Sequence, residues 1–191
     1  MDRREEKTMQ AIYQAFSTII NTKNYDDITI QDIIETANIG RSTFYSHFKT
    51  KDELLLDISD TIFTHVFSHS LQEEASHDFS KDSFFDYRHL ITHIFYHIKD
   101  EKELISGIMK SNGNDIFLHE FRNHLFSVAD SYYNNYPYDK DSDAIPLVLK
   151  KALLVEDFIV VLDYWIDEGF KETPEKVSGY FISLIYGKLS S

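Results

Sequence analysis

The amino-acid sequence predicts an all-α protein, and three observations support that fold class. The 191 residues include only 6 glycines and 3 prolines, fewer turn-forming residues than a β-sandwich or barrel needs. Apolar residues recur three and four positions apart along most of the chain, which is the period of an amphipathic helix, and they predict about nine helices. The sequence contains no cysteine, which excludes disulfide scaffolds, thiolate zinc sites and cysteine nucleophiles.

The first predicted helix covers about residues 4–22, where apolar residues form one face. A polar stretch then ends it, and Thr29 begins a short second helix. The Thr29 hydroxyl can accept a hydrogen bond from the first turn, and Asp32 places a favourable negative charge there. The apolar face of the first helix comprises Met9, Ile12, Phe16, Ile19 and Ile20.

A third short helix is predicted at about residues 41–48, after an interruption at Asn38-Ile39-Gly40. The residues from Thr50 to Glu53 form a capping-box pattern, which begins a long fourth helix that ends near Glu74. Two short helices that are joined by a tight turn and preceded by a longer helix are typical of the helix-turn-helix motif. The sequence therefore predicts a three-helix DNA-binding head at the N-terminal end.

The second short helix of such a motif places its N-terminal residues in the major groove. Those residues are polar here and offer the donors and acceptors that base edges require, whereas Phe44 and Phe48 face the core. Tyr45 and His47 flank the helix, where a hydroxyl and an imidazole can bind phosphates. The groove-facing residues are Arg41, Ser42, Thr43 and Ser46, and the lysines beside the next helix N-terminus are Lys49 and Lys51.

The net charge of −13 is unevenly distributed. The first 53 residues carry a net charge of −2, and the remaining residues carry −11. Acidic groups repel nucleic acid. We therefore expect the head to bind DNA through the placement of its few cations rather than through bulk charge.

The segment from Ile39 to Leu54 resembles the DNA-binding signature of TetR/AcrR-type transcriptional regulators. The preceding Thr29-Ile30-Gln31-Asp32-Ile33 is similar to the second helix of that family, and the resemblance covers about residues 4–60. It implies an all-helical homodimer with a helix-turn-helix DNA-binding domain at residues 1–52 and an effector-binding and dimerisation domain at residues 53–191. We expect no enzymatic activity, cofactor or metal site, because the sequence contains no phosphate loop, nucleophile elbow or thiolate ligand.

The resemblance also implies roles for individual residues of the head. Residues placed at phosphates are Thr29, Tyr45, His47 and Lys51. Residues placed at base edges or neighbouring phosphates are Gln31, Arg41, Ser42 and Thr43. Arg41 would suit guanine and Gln31 would suit adenine. The chain has Gly40 where relatives often have serine, and Asp26 and Asp27 near the groove-facing end are expected to lower nonspecific affinity.

Five further helices are predicted at about residues 84–100, 104–109, 116–136, 144–168 and 174–189. The stretch 158–175 resembles the C-terminal end of one class of TetR effector domains, which implies a dimer interface built from the last two helices. Apolar stripes of this kind also fill intramolecular cores, and both interpretations stay open. The candidate interface residues are Phe158, Leu162, Val177, Phe181, Leu184 and Ile185.

Aromatic residues and histidines supply the candidates for an effector pocket, although each of them can equally fill a helical core. These candidates are His65, His69, Phe117, Phe121, Tyr132 and Trp165. Three other histidines, His89, His93 and His97, are predicted to form a polar face opposite the apolar face of their helix, either solvated or in contact with a second element.

The sequence thus predicts a ligand-responsive transcriptional regulator, a repressor rather than an activator, that binds a palindromic DNA operator as a homodimer. Two alternatives remain: a protein co-regulator controls the C-terminal domain instead of a small-molecule effector, or the protein is a constitutive dimeric DNA binder without an effector. The N-terminal residues lack an apolar signal segment, and no apolar run reaches the ~18 residues of a membrane span. We therefore expect a cytoplasmic protein without membrane contact.

Overall fold

The computed structural model describes residues 3–68, 87–135 and 145–189, and within these ranges every regular element is helical. The prediction of an all-α fold is therefore confirmed. A short 3₁₀ turn at Tyr25–Asp27, which the sequence analysis did not predict, follows the first helix. The helices are α1 (Arg3–Ile20), α2 (Ile30–Ala37), α3 (Arg41–Tyr45), α4 (Lys51–Ser68), α5 (Tyr87–Asp100), α6 (Lys102–Met109), α7 (Asn114–Asn135), α8 (Leu147–Asp167) and α9 (Pro174–Leu189).

Local chemistry explains where α2 begins and ends. The Thr29 hydroxyl accepts a hydrogen bond from the Asp32 backbone N–H over 3.1 Å, and the Asp32 carboxylate accepts one from the Thr29 N–H over 2.9 Å. This reciprocal pair is a complete capping box, which satisfies two N–H groups that the helix itself leaves unbonded. The helix ends at Asn38, whose φ of 52° places it in the left-handed region that asparagine tolerates.

The start of α4 differs slightly from the predicted capping box. The Glu53 N–H donates to the Thr50 hydroxyl over 3.1 Å, as the pattern predicts. The Glu53 carboxylate, however, accepts from the N–H of Lys49 over 2.6 Å rather than from that of Thr50. The two bonds tie the last two residues of the connection between α3 and α4 to Glu53 in the first turn of α4.

The chain divides into two compact units. The first unit comprises Met1–Ile62 and Glu101–Glu120, and in it α1 packs against both α2 and α6. Its core is made of aliphatic and phenylalanine side chains that are almost completely buried. They include Ile12, Phe16, Ile33, Phe44, Leu54 and Ile105.

Two glycines allow the α6 segment to approach the rest of the first unit closely. A Cβ atom on Gly113 would lie 2.6 Å from Cγ of the Tyr25 ring, and one on Gly107 would lie 2.8 Å from Cγ2 of Ile20. Hydrogen bonds reinforce both approaches, from the Asn21 amide to the Glu103 carbonyl over 3.1 Å and from the Asn112 amide to the Asp26 carboxylate over 3.0 Å. The segment after α5 is thus an integral part of the unit that contains the helix-turn-helix motif.

The second unit comprises Phe63–Asp100 and Phe121–Ser191, and in it α9 packs against α5 and α8. Its core contains aromatic rings that contact one another among buried aliphatic side chains. Phe158 stacks on Phe95 with ring centroids 4.6 Å apart, and the edges of Phe121 and Phe181 meet Phe158 at 5.7 and 5.3 Å. Trp165 makes an edge contact with Phe95, with ring centroids 5.6 Å apart. None of the described helices is long and apolar enough to cross a membrane.

Candidate nucleic-acid interface

The α3 helix separates its apolar and polar side chains as a recognition helix requires. Phe44 is fully buried and Phe48 nearly so, and their rings contact each other at 5.9 Å, which anchors the helix to the first unit. Arg41, Ser42 and Tyr45 are exposed. The remaining predicted contacts are Thr43 and His47, which are half-buried, and Ser46 and Lys49, which are exposed.

Arg41 and Gln31, the two residues predicted to read bases, are hydrogen-bonded to each other. Nη2 of Arg41 donates to Oε1 of Gln31 over 3.0 Å. The Gln31 amide nitrogen in turn donates to the Glu35 carboxylate over 2.7 Å. The sequence analysis did not single out Glu35, although its spacing of four residues from Gln31 on α2 was a signal that the two side chains meet.

Two residues that were predicted to contact phosphates have partners within the chain. The Thr29 hydroxyl takes part in the capping box, where it also donates to the Asp32 carboxylate over 2.8 Å. The Lys51 ammonium donates to the carbonyl oxygens of Tyr25, Asp26 and Ile28 at 2.6, 3.2 and 3.1 Å. An ammonium has three N–H donors, so this arrangement uses all of them.

The 3₁₀ turn that Lys51 holds contributes the buried Tyr25 to the first unit. The Lys51 ammonium lies 4.4 Å from the centre of the Tyr25 ring, and the phenol hydroxyl donates to the Asp52 carboxylate. Burial, followed by the hydrogen bond to Asp52, raises the pKa of Tyr25 well above its usual range. The polar residues around Tyr25 gave no sign of burial, and for that reason the sequence analysis missed it.

The surface beside the motif is electrostatically mixed. Exposed cations at Arg41 and Lys49 lie near the recognition helix, and acidic side chains at Asp26, Asp27 and Glu35 are also exposed. Such a surface suits selective binding better than tight nonspecific binding, because each exposed carboxylate repels phosphates of every sequence.

The predicted effector-pocket residues that can be located lie in tightly packed surroundings. Phe117, Phe121 and Trp165 are each at most 1% exposed. Phe121 stacks on Phe63 at 5.1 Å, and the Trp165 indole N–H donates to the Glu172 carbonyl over 3.0 Å. The side chains of His65, His69 and Tyr132 lie outside the described residues.

The predicted dimer-interface residues fall into two groups. Phe158, Leu162, Val177 and Phe181 lie in the core of their own chain with at most 1% exposure, which leaves them no area to offer a partner. Leu184 is 40% exposed and Ile185 is half-buried. These four residues therefore fit the alternative interpretation, in which the apolar stripe fills an intramolecular core. The apolar residues that α8 does expose are Val148, Leu149, Leu153, Val160 and Tyr164.

Of the two alternatives for the histidine face of α5, the solvated one is wrong for two of its three members. His93 and His97 are 1% and 2% exposed, and their Nε2 atoms are 3.1 Å apart. His89 is half-buried. The prediction failed because α5 is covered on two sides: Thr92 on one of them donates to the Ser178 hydroxyl of α9 over 2.9 Å. Among the described residues no group of three histidine, aspartate or glutamate side chains could hold a metal ion.

Comparison with known families gives two matches that together span most of the chain. Residues 12–58 match the bacterial regulatory proteins of the tetR family. Residues 86–187 match a transcriptional regulator C-terminal region of the same family, TetR_C_8.

Individual relatives give the same result. The crystal structure of a TetR transcriptional regulator from Streptococcus agalactiae is 31% identical, covers 96% of each chain and superposes with a TM-score of 0.73. The HTH-type transcriptional regulator YxbF of Bacillus subtilis is 24% identical over 97% of this chain, which spans only 46% of that relative's length. The dhaKLM operon activator DhaS of Lactococcus lactis is 36% identical over 59 residues, 31% of this chain and 32% of DhaS. A solved DhaS structure shares the fold at a TM-score of 0.64, with 18% identity and 96% coverage of each chain.

Proposed function

Because the chain belongs to the TetR family of DNA-binding transcriptional regulators, whose members are not enzymes, we propose that it is a homodimeric, ligand-responsive repressor. In this proposal two recognition helices α3 occupy successive major grooves of a palindromic operator. The single observation that supports the DNA-binding face most directly is the division of α3, with Phe44 buried and with Arg41, Ser42 and Tyr45 exposed.

Support for the homodimer comes from the exposed apolar side chains of α8. Leu149, Leu153, Val160 and Tyr164 recur at spacings of four and seven residues, which places them along one face of the helix. An exposed apolar stripe of this length on a water-soluble surface is typical of a protein–protein contact. Leu184 of α9, which is 40% exposed, extends the apolar surface available to a second copy.

In this proposal the effector binds in the second unit, whose core contains several aromatic rings in mutual contact. An effector needs only a different affinity for the DNA-binding and non-binding states. A coupling of ~1–3 kcal/mol would change operator affinity by ~5–150-fold. The effector is most simply an apolar or aromatic molecule that displaces or rearranges side chains around Phe121, because aromatic groups surround that residue.

One relative supports a second candidate function. DhaS is named as an activator, and its match to this chain includes 36% identity over 59 residues. Activation rather than repression is therefore one alternative. Control of the C-terminal domain by a protein partner in place of a small molecule is another. A constitutive dimeric DNA binder is the third.

The first experiment is selection of DNA fragments from the source genome by the purified protein, repeated over a series of salt concentrations. The proposal predicts a palindromic site whose half-sites are about one helical turn apart, with an affinity that falls steeply as salt rises. Fragments without a shared sequence, or no bound fragments at all, would contradict it.

Transcription from the recovered site then separates the candidates. A repressor lowers transcription in a purified system, and an activator raises it. Addition of candidate small molecules, chosen from the substrates of the neighbouring gene products, relieves repression if the protein is ligand-responsive. Unchanged transcription with every compound, together with release by a host protein fraction, favours control by a partner protein.

A further inference from the structure

Three exposed side chains of the first unit form a hydrogen-bonded chain at the N-terminal end of α3. The chain runs from the Arg41 guanidinium to the Gln31 amide oxygen over 3.0 Å and from the Gln31 amide nitrogen to the Glu35 carboxylate over 2.7 Å. Gln31 and Glu35 are four residues apart on α2, so the helix itself keeps the amide and the carboxylate adjacent.

Only one orientation of the Gln31 amide satisfies both of its neighbours. In the reverse orientation the NH₂ group would face the Arg41 guanidinium, which has no acceptor. The amide oxygen would then face the Glu35 carboxylate, which has no donor when it is ionised. Glu35 therefore fixes the amide, and the amide oxygen fixes one nitrogen of the guanidinium.

We propose that Glu35 is a positioning residue for base recognition and that Gln31 acts through Arg41 instead of reading an adenine. This inference rests on the proposed DNA-binding function. Recognition of guanine uses two parallel N–H groups of an arginine, so it depends on the plane of the guanidinium. Gln31 occupies one of the five guanidinium donors, which leaves enough N–H groups for a two-bond contact.

The same carboxylate has an opposite effect on overall affinity. Glu35 adds a negative charge close to the helix that faces the groove, and this charge repels the phosphates of any DNA sequence. Removal of Glu35 should therefore raise affinity for DNA that lacks the correct base pair while it lowers the preference for that base pair. A residue with a purely structural role would not change these two quantities in opposite directions.

The test compares Glu35→Ala, Glu35→Gln and Asp27→Ala with the wild-type protein. Arg41→Ala should abolish the preference at the base pair that Arg41 contacts, and this variant identifies that base pair. Each of the other proteins is then titrated with the selected operator and with operators changed at that base pair. Glu35→Ala should bind the changed operators about twofold to fivefold more tightly. Its discrimination at that base pair should fall about threefold to tenfold, because the selected operator loses a specific contact and does not share that gain. Glu35→Gln should gain affinity but keep discrimination within about twofold, because its amide oxygen accepts the same hydrogen bond.

Asp27→Ala is the matched control, because it removes an exposed negative charge from the same unit without touching the chain of three residues. It should raise affinity and leave discrimination unchanged. Full discrimination in Glu35→Ala, or an equal loss in Glu35→Gln and Glu35→Ala, would overturn the inference. If wild-type protein shows no sequence preference, the proposed function itself fails, so the two failures are distinguishable. Circular dichroism melting curves establish that each variant is folded.

Discussion

Two lysines that are two positions apart in the sequence have different environments. Lys49 is exposed beside the recognition helix, whereas the Lys51 ammonium is held by three backbone carbonyl oxygens of the 3₁₀ turn and its continuation. The resemblance implied a phosphate contact for Lys51, and both lysines were predicted beside a helix N-terminus that favours a phosphate. The exposed Lys49 is therefore our candidate for a phosphate contact, whereas the contacts of Lys51 stabilise the fold.

We predict that Lys51→Met lowers the free energy of unfolding by about 1–2 kcal/mol, because three carbonyl oxygens lose a charged donor. Lys49→Met should change that free energy by less than about 0.5 kcal/mol. It should instead reduce the slope of log affinity against log salt by about 1 per protomer, the loss of one phosphate contact. Urea titration and salt-dependent binding measure the two quantities. A reduced salt slope in a fully stable Lys51→Met protein would contradict this division of roles.

Tyr45 offers a single hydroxyl for a phosphate contact. It is 49% exposed, and its ring meets the edge of Phe44 at 5.7 Å, a contact that phenylalanine preserves. We predict that Tyr45→Phe weakens binding about twofold to tenfold and equally for every DNA sequence, since one hydrogen bond contributes about 1 kcal/mol. Competition binding with operator and random DNA is the measurement. A loss confined to the operator would show that Tyr45 reads a base.

At the scale of elements, the stability that the capping box at the start of α2 contributes depends on pH. Hydrogen bonds from Lys23 and Thr29 lower the pKa of Asp32 to about 2. Since the pKa in the unfolded chain is about 3.9, the capping box stabilises the fold above about pH 4 and loses its effect as the pH falls toward 2.

We predict that the free energy of unfolding at pH 6 is larger for wild type than for Asp32→Asn. The difference between these two free energies should narrow between about pH 5 and pH 3. Urea unfolding at each pH measures it. Lys23→Met removes the 2.7 Å contact to Asp32. When Asp32→Asn is compared with its parent in this background, the difference in stability should narrow less. A difference that stays constant over this range would mean that Asp32 acts through something other than its charge.

Gly113 allows the turn between α6 and α7 to lie against Tyr25. We predict that Gly113→Ala destabilises the protein by about 1–3 kcal/mol, because its methyl group would lie 2.6 Å from the buried ring. Gly179→Ala is the control: it lies within α9, where an added Cβ meets nothing within 4 Å. This control should stabilise the protein by about 0.5–1 kcal/mol through its higher helix propensity. Thermal unfolding compares the two, and equal effects would show that the close approach is unimportant.

The sequence predicts helices well where an apolar stripe and a cap coincide. The Thr29 cap and the apolar face of α1 both appear as predicted, because they depend on residues that are close in sequence. Burial was predicted less well. The periodicity of α5 identifies one apolar face but cannot show that a second face is also covered, and for this reason His93 and His97 were misplaced.

The candidate site shows the same limit. Arg41, Ser42 and Tyr45 are exposed on α3 as the helix-turn-helix pattern requires. Two other features depend on how separate elements pack against each other. They are the hydrogen bond between Arg41 and Gln31 and the hydrogen bonds from Lys51 to three backbone carbonyl oxygens. No spacing rule within one helix describes those contacts. Likewise, Leu162 and Val160 look equally suited to an interface in the sequence, and only packing shows that Leu162 is buried and Val160 is 60% exposed.

At the scale of the whole molecule, the proposed dimer has a sharp test on α8. Val160 and Val148 are 60% and 62% exposed on the same helix, but twelve residues of rotation place them about 120° apart. We predict that Val160→Glu converts the dimer to monomer and greatly weakens operator binding, because a carboxylate would be buried at the interface. Val148→Glu should leave the dimer and its operator affinity unchanged. Sedimentation equilibrium measures the mass, and a monomeric wild-type protein would contradict the proposal.

The discontinuity of the first unit determines how DNA specificity could be transferred between regulators. Its helix-turn-helix part ends by Ile62, yet the segment Glu101–Glu120 belongs to the same compact body and covers Ile20 and Tyr25 through two glycines. A chimera made by exchanging only the first sixty or so residues would pair Gly107 and Gly113 with foreign surfaces. The helix-turn-helix part therefore cannot be transferred to another regulator by itself. A chimera that conserves folding must exchange it together with the segment Glu101–Glu120.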